Sequence, residues 1–161
     1  MKKVMIIGCP GSGKSTFARA LAQKTCLPLY CLDLMYWNPD RTTKPKEEFR
    51  AALHETVKLD EWIIDGNFRS TLEVRLEACD TVFYLDYPLE VCLAGYEARR
   101  GKPRSDIPWI ETEPDAEFIE YIKSFKEENR PLILSLLEQY KDKNINIFTS
   151  RDEADEYLRR L

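Results

Sequence analysis

The segment Gly8-Cys9-Pro10-Gly11-Ser12-Gly13-Lys14-Ser15 decides the fold class of this chain. It matches the pattern G-x-x-x-x-G-K-S, follows the apolar run Val4–Ile7 and precedes a helical pattern. Its glycines let the backbone curl so that successive N–H groups face one concavity, and the following helix adds its positive N-terminal dipole there. The segment therefore predicts a loop that binds the phosphates of a nucleoside triphosphate.

Two side chains of this loop carry specific chemistry. The Lys14 ammonium can reach the β- and γ-phosphates, and the Ser15 hydroxyl can bind Mg²⁺. ATP and Mg²⁺ are therefore the predicted cofactors. The predicted nucleotide-binding residues of this stretch are Gly8, Pro10, Gly11, Ser12, Gly13, Lys14, Ser15 and Thr16.

Length and composition exclude several classes of protein. The chain has 161 residues, of which 43% are hydrophobic and 32% charged, and this predicts one globular domain over residues 1–161. A net charge of −4 lacks the positive field that drives nucleic-acid binding, so we expect no direct contact with nucleic acid. The apolar run near the start is too short for a signal peptide or a membrane helix, and we expect a cytoplasmic protein.

Five cysteines are scattered along the chain without a Cys-x-x-Cys pair, and His54 is the single histidine. This pattern predicts reduced thiols and no structural zinc. Cys9 lies inside the phosphate-binding loop, where the helix dipole and Lys14 would favour a thiolate. A redox-sensitive Cys9 is one hypothesis, and an inert small side chain is the alternative.

Apolar runs alternate with longer helical patterns, which is typical of an α/β protein with a parallel sheet and helices on both faces. The predicted strands are Lys3–Ile7, Leu29–Leu32, Trp62–Asp65, Thr81–Leu85 and Asn144–Phe148. Helices are predicted after Lys14 and over Lys46–Leu59, Leu89–Arg100, Asp115–Glu128, Pro131–Tyr140 and Asp152–Leu161. Residues 101–114 carry three prolines and no apolar period, which predicts a functional lid.

Two aspartates, Asp33 and Asp65, lie at the ends of predicted strands. The carboxyl ends of parallel strands meet at the edge where the phosphate-binding loop lies. One carboxylate can hold Mg²⁺ or its waters, while another can orient the attacking oxygen. We assign Asp65 with Ser15 to the metal and Asp33 to catalysis at the acceptor. A turn or helix-cap role is the alternative for each aspartate.

Positive charge concentrates around the proline-rich segment of an otherwise acidic chain, where Arg99 and Arg104 are the predicted catalytic residues. Guanidinium groups that arrive with a closing lid can neutralise the transferring phosphoryl group, and closure also excludes water. Arg130 is a further catalytic candidate, and Arg69 is a candidate for substrate binding. For any single arginine, an exposed solubilising charge is the alternative.

With these residues in view, the chain resembles the adenylate-kinase-like branch of P-loop proteins. More narrowly, it resembles small bacterial proteins described as DNA topology modulation or flagellar-regulator-like proteins, over nearly its full length. The likeness rests on the loop at residues 8–15, Asp33-x-x-x-Trp37, Trp62-Ile63-Ile64-Asp65-Gly66-Asn67-Phe68, the Asp86-x-Pro88 turn, the arginine-flanked lid and Thr149-Ser150-Arg151.

The resemblance implies a three-layer P-loop fold like that of nucleoside monophosphate kinases, with a five-stranded parallel sheet of order 2-3-1-4-5 and a short lid. It implies a phosphotransferase that uses ATP and a small-molecule acceptor. It also implies that Arg99 and Arg104 clamp the phosphates and that Arg151 lies beside the adenine. The topology-modulation label implies a role in DNA supercoiling, although the acidic sequence has no DNA-reading element.

The sequence is compatible with three hypotheses for the acceptor. The segment Asp65-Gly66-Asn67-Phe68-Arg69 lacks the proline of the corresponding segment in nucleoside monophosphate kinases. Transfer to a nucleotide or nucleoside-like acceptor, transfer to a small-molecule hydroxyl with Asp33 as proton acceptor, and a slow nucleotide-binding switch acting through a partner are the three hypotheses. The predicted substrate-binding residues are Asp33, Trp37, Asn67 and Arg69, and Tyr36 and Phe68 either join them or pack in the core.

Overall fold

Five strands form one parallel sheet in the computed structural model, which describes residues 1–161. They are β1 (Lys3–Gly8), β2 (Leu29–Cys31), β3 (Trp62–Asp65), β4 (Thr81–Leu85) and β5 (Asn144–Phe148). Their order across the sheet is β2-β3-β1-β4-β5. This order confirms the predicted α/β fold class and the topology that the resemblance implied.

The centre of the sheet is buried on both faces. Every residue of β3 and β4 is buried, as is all of β1 after Lys3, which is expected of parallel strands covered by helices on both sides. The register places Ile6 beside Asp65 and Gly8 beside Leu85. The loops that follow these strands therefore meet at one carboxyl edge.

Eight helices connect and cover the strands, and apolar side chains from both layers form one continuous core. No helix has the length and apolar character needed to cross a membrane. The helices are α1 (Lys14–Thr25), α2 (Leu32–Tyr36), α3 (Lys46–Lys58), α4 (Leu72–Ala78), α5 (Leu89–Arg99), α6 (Ala116–Glu128), α7 (Arg130–Gln139) and α8 (Arg151–Arg160), with one turn of 3-10 helix over Arg69–Thr71.

The predicted longer helices are confirmed, with small shifts at their ends. Asp115, where the predicted helix starts, precedes α6 and caps it, because its side chain accepts the N–H of Phe118 at 3.0 Å. The cap of α8 is Ser150, because its hydroxyl accepts the N–H of Glu153 at 3.3 Å. Helix α8 therefore begins one residue earlier than predicted.

Three short elements escape the sequence pattern. The strand β2 ends at Cys31 rather than Leu32, because Leu32 opens the five-residue helix α2. Asp33 consequently lies in a first helical turn. The 3-10 turn and the seven-residue α4 fill the connection between β3 and β4. Elements this short show too few apolar positions to establish a period.

Residues 101–114, which we call the lid, contain no helix or strand and connect α5 to α6. The Gly101 N–H donates to the carbonyl oxygen of Glu111 at 2.6 Å, which closes the segment into a loop. Asp106 and Ile107 in its middle are 5% and 8% exposed. The centre of the lid is therefore packed into the protein, while its flanks are exposed.

Candidate active site

A cavity of about 900 Å³ lies at the carboxyl edge of the sheet, bordered by the phosphate-binding loop and the lid. Its volume lies within the range of pockets that hold small molecules and cofactors. Gly8, Ser12 and Arg130 do not line it. The predicted site residues that do line it are Pro10, Gly11, Gly13, Lys14, Ser15, Thr16, Asp33, Trp37, Asp65, Asn67, Arg69, Arg99, Arg104 and Arg151.

The loop of residues 8–15, hereafter the phosphate loop, curls between the end of β1 and the start of α1. Gly11 and Gly13 have φ angles of +83° and +97°, which glycine adopts without steric cost. A Cβ at Gly13 would have no heavy atom within 4 Å, so the loop presents bare backbone to the cavity. Gly8 lies behind the loop, where its N–H donates to the Asn67 Oδ1 atom at 3.1 Å.

The Lys14 side chain arches over the phosphate loop. Its Nζ atom donates to the carbonyl oxygen of Cys9 at 3.2 Å. A lysine ammonium has three donors, so two remain for a phosphate in the cavity. The position of Lys14 fits its predicted contact with nucleotide phosphates.

Ser15 connects the phosphate loop to two carboxylates. Its Oγ atom lies 2.6 Å from Oδ2 of Asp65 and 3.1 Å from Oδ2 of Asp106. Asp65 is fully buried, and this burial raises the pKa of its carboxyl, against the opposing influence of Lys14 and of the hydrogen bond from Ser15. Asp106 was not among the predicted site residues, because it lies in a lid without apolar periodicity.

The oxygen donors at Ser15 fit Mg²⁺. The Asp65 Oδ1 atom is buried and has no hydrogen-bond partner, which leaves a carboxylate oxygen free for a cation. The chain has no group of three or more His, Cys, Asp or Glu side chains arranged to hold a metal ion. Mg²⁺ does not need such a cage, since one or two carboxylates, waters and substrate phosphates complete its shell.

Arg99, the last residue of α5, and Arg104 of the lid are both neutralised by carboxylates of the lid. The Arg99 Nε and Arg104 Nη1 atoms lie 3.0 Å and 2.7 Å from Oε2 of Glu111. Arg104 also pairs with Asp106. The Arg99 guanidinium lies over the ring of Tyr96, and burial followed by repulsion from Arg104 lowers its pKa. Both arginines are thereby held at the cavity wall.

Arg130 does not belong to this site, which corrects its predicted catalytic role. Its Nε atom pairs with Oδ2 of Asp86 at 2.8 Å. Asp86 directly follows β4, and Arg130 opens α7, so the pair joins the sheet edge to that helix. The geometry supports a structural ion pair at this position.

Of the two hypotheses for Cys9, the structure supports the inert small side chain. Cys9 is 4% exposed, and its Sγ atom faces the carbonyl oxygen of Ile122 at 3.8 Å. Contact with the Cys92 thiol, followed by burial, raises the pKa of Cys9. A buried thiol of raised pKa is a poor nucleophile, so Cys9 serves as a small packing residue of the loop.

The other end of the cavity is aromatic. Trp37 and Trp109 meet edge to face with ring centroids 5.5 Å apart, and Arg41 lies over the Trp109 ring. Tyr36 lines this end but also packs at 5.4 Å on the buried Phe49. The aromatic wall therefore combines cavity lining with core packing.

Asp33 lines the cavity without a hydrogen bond to its carboxylate. Burial, and then repulsion from Asp65, raise its pKa to about 6. Arg69 also lines the cavity, and its side chain is exposed. A carboxylate that titrates near neutral pH can accept a proton from a bound hydroxyl.

Arg75 is a residue that sequence reasoning missed. It is fully buried in α4, and its guanidinium donates to the carbonyl oxygens of Gly66 and Asn67 at 2.7 Å and 2.6 Å. Burial lowers its pKa to about 9. Arg75 thus fixes the backbone that follows Asp65. The spacing of Arg75 with Leu72 and Leu76, on one helix face, is the signal that marks it as buried.

Arg151 lies at the far side of the phosphate loop. Its Nη2 atom is 3.5 Å from the carbonyl oxygen of Gly11, at the margin of hydrogen bonding. The side chain is exposed at the cavity rim beside Gly95. This position is compatible with the nucleotide contact that the resemblance implied.

The fold is similar to that of solved kinases. A shikimate kinase from Bacteroides thetaiotaomicron is 19% identical, with a TM-score of 0.65 over 98% of this chain and 94% of the kinase chain. A sugar kinase from Janibacter sp. HTCC2649 is 17% identical, with a TM-score of 0.56 over 99% of this chain and 91% of the other. No protein-family model and no curated protein matches the sequence.

These neighbours establish a P-loop kinase-like fold. At such identities the likeness carries the architecture and not the activity. Neither neighbour is a topology modulation protein, so that narrower resemblance stays a prediction.

Proposed function

We propose that this protein transfers a phosphoryl group from ATP to a small-molecule acceptor with the help of Mg²⁺. One observation carries the proposal: a single cavity is lined by Lys14 and Ser15 of the phosphate loop and by the carboxylate of Asp33. A phosphoryl transfer requires donor and acceptor in line in one water-excluding space. The cavity provides that space between the loop and the lid.

The residues around the phosphate loop have different roles in binding the nucleotide. The phosphate-loop N–H groups and the α1 N-terminus attract phosphate oxygens, and the Lys14 ammonium reaches toward the transferring group. Arg99 and Arg104 add two guanidinium groups from the lid side, which suit the charge spread over a transferring phosphoryl group. Ser15 and Asp65 are the residues that would hold Mg²⁺, which would supply positive charge against the phosphates.

The two carboxylates that line the cavity favour a hydroxyl group as the phosphoryl acceptor. Asp33 and Asp65 place two carboxylates near the reaction centre, and an acceptor phosphate would be repelled by both. A neutral hydroxyl avoids that repulsion and gives its proton to Asp33, whose pKa of about 6 suits a general base near neutral pH. The two structural neighbours carry the names of a shikimate kinase and a sugar kinase, which agrees with a small-molecule acceptor.

A nucleotide or nucleoside-like acceptor is the second candidate. The observation that favours it is the aromatic pair Trp37 and Trp109, since bases stack on aromatic side chains. Arg69 at the same end could then meet a phosphate. A slow nucleotide-binding switch, as the topology-modulation resemblance implies, is the third candidate, and it would leave the acceptor end without a substrate.

ADP release from ATP and Mg²⁺ tests the proposal across a panel of hydroxylated metabolites, nucleosides and nucleoside monophosphates. One acceptor class should stimulate turnover, and Lys14→Ala should remove about 99% or more of that turnover, because the phosphoryl group loses its main cation. Lys24→Ala, an exposed lysine in the last turn of α1, is the matched control and should retain full activity. Tight ATP binding without stimulation by any acceptor would favour the switch instead.

A further inference from the structure

Two carboxylates converge on one hydroxyl where the lid meets the phosphate loop. The Ser15 Oγ atom lies within hydrogen-bonding distance of Oδ2 of Asp65, at the end of β3, and of Oδ2 of Asp106, in the lid. A serine hydroxyl has one proton and can donate it to only one of these oxygens at a time. The second carboxylate oxygen therefore faces oxygen lone pairs without a hydrogen between them.

A second observation points to a ligand at the same place. Asp65 is 3% exposed, lines the cavity, and its Oδ1 atom is buried without any hydrogen-bond partner. Leaving a buried charged oxygen unsatisfied costs more than leaving a neutral one. A divalent cation satisfies several such oxygens at once, and oxygen-only donor sets are what Mg²⁺ selects. The Asp65 Oδ1 atom therefore lacks a partner that a divalent cation can provide.

The lid holds Asp106 in a defined orientation toward this cluster. Arg104 pairs with both of its carboxylate oxygens, and Arg19 of α1 lies 3.7 Å from Oδ1. The next residue, Ile107, is buried and anchors the local backbone. Asp106 therefore faces Ser15 as a fixed group, and its carboxylate is not a freely rotating surface charge.

We propose that Asp106 is the lid's contribution to the magnesium site, where it binds the metal, directly or through one water, together with Ser15 and Asp65. The inference rests on the proposed function, since the metal arrives with the nucleotide. It adds a residue from the lid to a site otherwise built from the phosphate loop and β3. Two carboxylates and a hydroxyl leave room for the phosphate oxygens and waters that complete octahedral Mg²⁺.

Because Asp106 lies in the lid, its negative charge affects lid closure. Without a cation, Asp65 and Asp106 repel each other across Ser15, and this repulsion opposes closure of the lid. With the cation bound, both carboxylates are attracted to it, so metal binding and lid closure stabilise each other. Arg104, which is paired with Asp106, is held at the cavity wall by the same contact.

Mn²⁺ reports on this site directly, because bound Mn²⁺ loses its free-ion electron paramagnetic resonance signal. We would titrate Mn²⁺ into the protein saturated with ADP, in the wild type, in Asp106→Asn and in the control Glu117→Gln, an exposed carboxylate just after the lid that does not line the cavity. Asp106→Asn should weaken Mn²⁺ binding by about ten-fold or more, whereas Glu117→Gln should change it by less than about two-fold. The ADP affinity measured in EDTA should be the same in all three proteins.

An unchanged Mn²⁺ affinity in Asp106→Asn would overturn the proposal. If Asp106→Asn bound ADP more tightly in EDTA while its Mn²⁺ affinity stayed the same, the proposal would also be overturned. The role of Asp106 would then be to repel phosphate. Failure of the wild type to bind Mn²⁺ and ADP at all would reject the proposed function together with this inference. The outcomes are therefore distinguishable.

Tryptic cleavage after Arg100, at the lid border, provides a readout that does not depend on the variant folding. In the wild type, ADP with Mg²⁺ should slow this cleavage by about ten-fold relative to ADP with EDTA, because the metal holds the lid closed. In Asp106→Asn, thermal unfolding monitored by circular dichroism verifies the fold, and the metal effect on cleavage should disappear. Equal cleavage rates with and without Mg²⁺ in the wild type would contradict the metal-linked closure.

Discussion

Gly95 of α5 packs backbone to backbone against Gly11 of the phosphate loop. A Cβ atom at Gly95 would come closer than 3.0 Å to the Gly11 carbonyl oxygen, and a Cβ at Gly11 would overlap the Cys92 carbonyl oxygen. Because α5 leads directly to Arg99, this contact connects the position of the phosphate loop to the root of the lid.

Gly95→Ala should therefore damage nucleotide binding. Alanine normally stabilises a helix interior by about 1 kcal/mol relative to glycine, but here the methyl group must displace the phosphate loop. We expect a lower melting temperature and an ATP affinity reduced by about ten-fold, measured by calorimetry. Ala94→Ser is the control, because Ala94 is exposed on the same helix and does not line the cavity. An ATP affinity equal to wild type in Gly95→Ala would show that the loop does not depend on this contact.

Removal of the Arg75 guanidinium should destabilise the whole fold. Arg75→Met leaves the carbonyl oxygens of Gly66 and Asn67 without donors in the interior, and it removes a cation near the buried Asp65. We expect a loss of about 3–5 kcal/mol in the free energy of unfolding, measured in urea. Arg159→Met, at an exposed ion pair with Glu156, should change it by less than about 0.5 kcal/mol. A loss below about 1 kcal/mol for Arg75→Met would refute the anchoring role.

The phosphate loop and the five strands could be predicted because local sequence determines them. The motif at residues 8–15 combines with its flanking strand and helix, and the strands are short stretches rich in apolar residues. The order of the strands came from the resemblance. Periodicity does not encode which strand lies beside which.

Other site features depend on contacts between distant segments. Asp106 meets Ser15 across 91 residues, from a lid whose conformation no periodic pattern defines. The assignment of Arg130 to the cavity was wrong for the same reason. Its side chain pairs with Asp86, which is 44 residues away in the sequence. Burial of Cys9 likewise depends on α6, which supplies the Ile122 carbonyl oxygen beside its thiol. The reactivity of a side chain follows from such neighbours and not from its own motif.

Arg104→Ala should reduce kcat by about a hundred-fold, because under the proposed function Arg104 and Arg99 are the guanidinium groups that stabilise the transferring phosphoryl group. The KM for ATP should rise less, since the charge to be stabilised grows in the transition state. Arg100→Ala is a close control, because Arg100 pairs with Glu97 and does not line the cavity. Comparable losses in the two variants would mean that general lid charge, and not the position of Arg104, matters.

Asp33 predicts how activity depends on pH. As a general base with a pKa of about 6, it must be deprotonated to accept the acceptor's proton. The kcat/KM should therefore rise with pH and level off above the pKa, with a midpoint near 6. In Asp33→Asn the rate should fall by about a hundred-fold or more, and this rise should vanish. A profile with the same midpoint in the variant would assign the titration to another group.

The same carboxylate predicts a gain of stability on its removal. The pKa of Asp33 is raised from the ordinary 3.8 to about 6 in the folded state, so folding favours the protonated form. Its contribution to stability is present below pH 3.8 and is lost as the pH rises through 6. At pH 7.5, Asp33→Asn should therefore unfold in urea at a free energy about 2 kcal/mol above wild type, with the difference shrinking toward pH 4. Equal stability at both pH values would show that the carboxylate is well solvated, and it would remove the physical basis for its raised pKa.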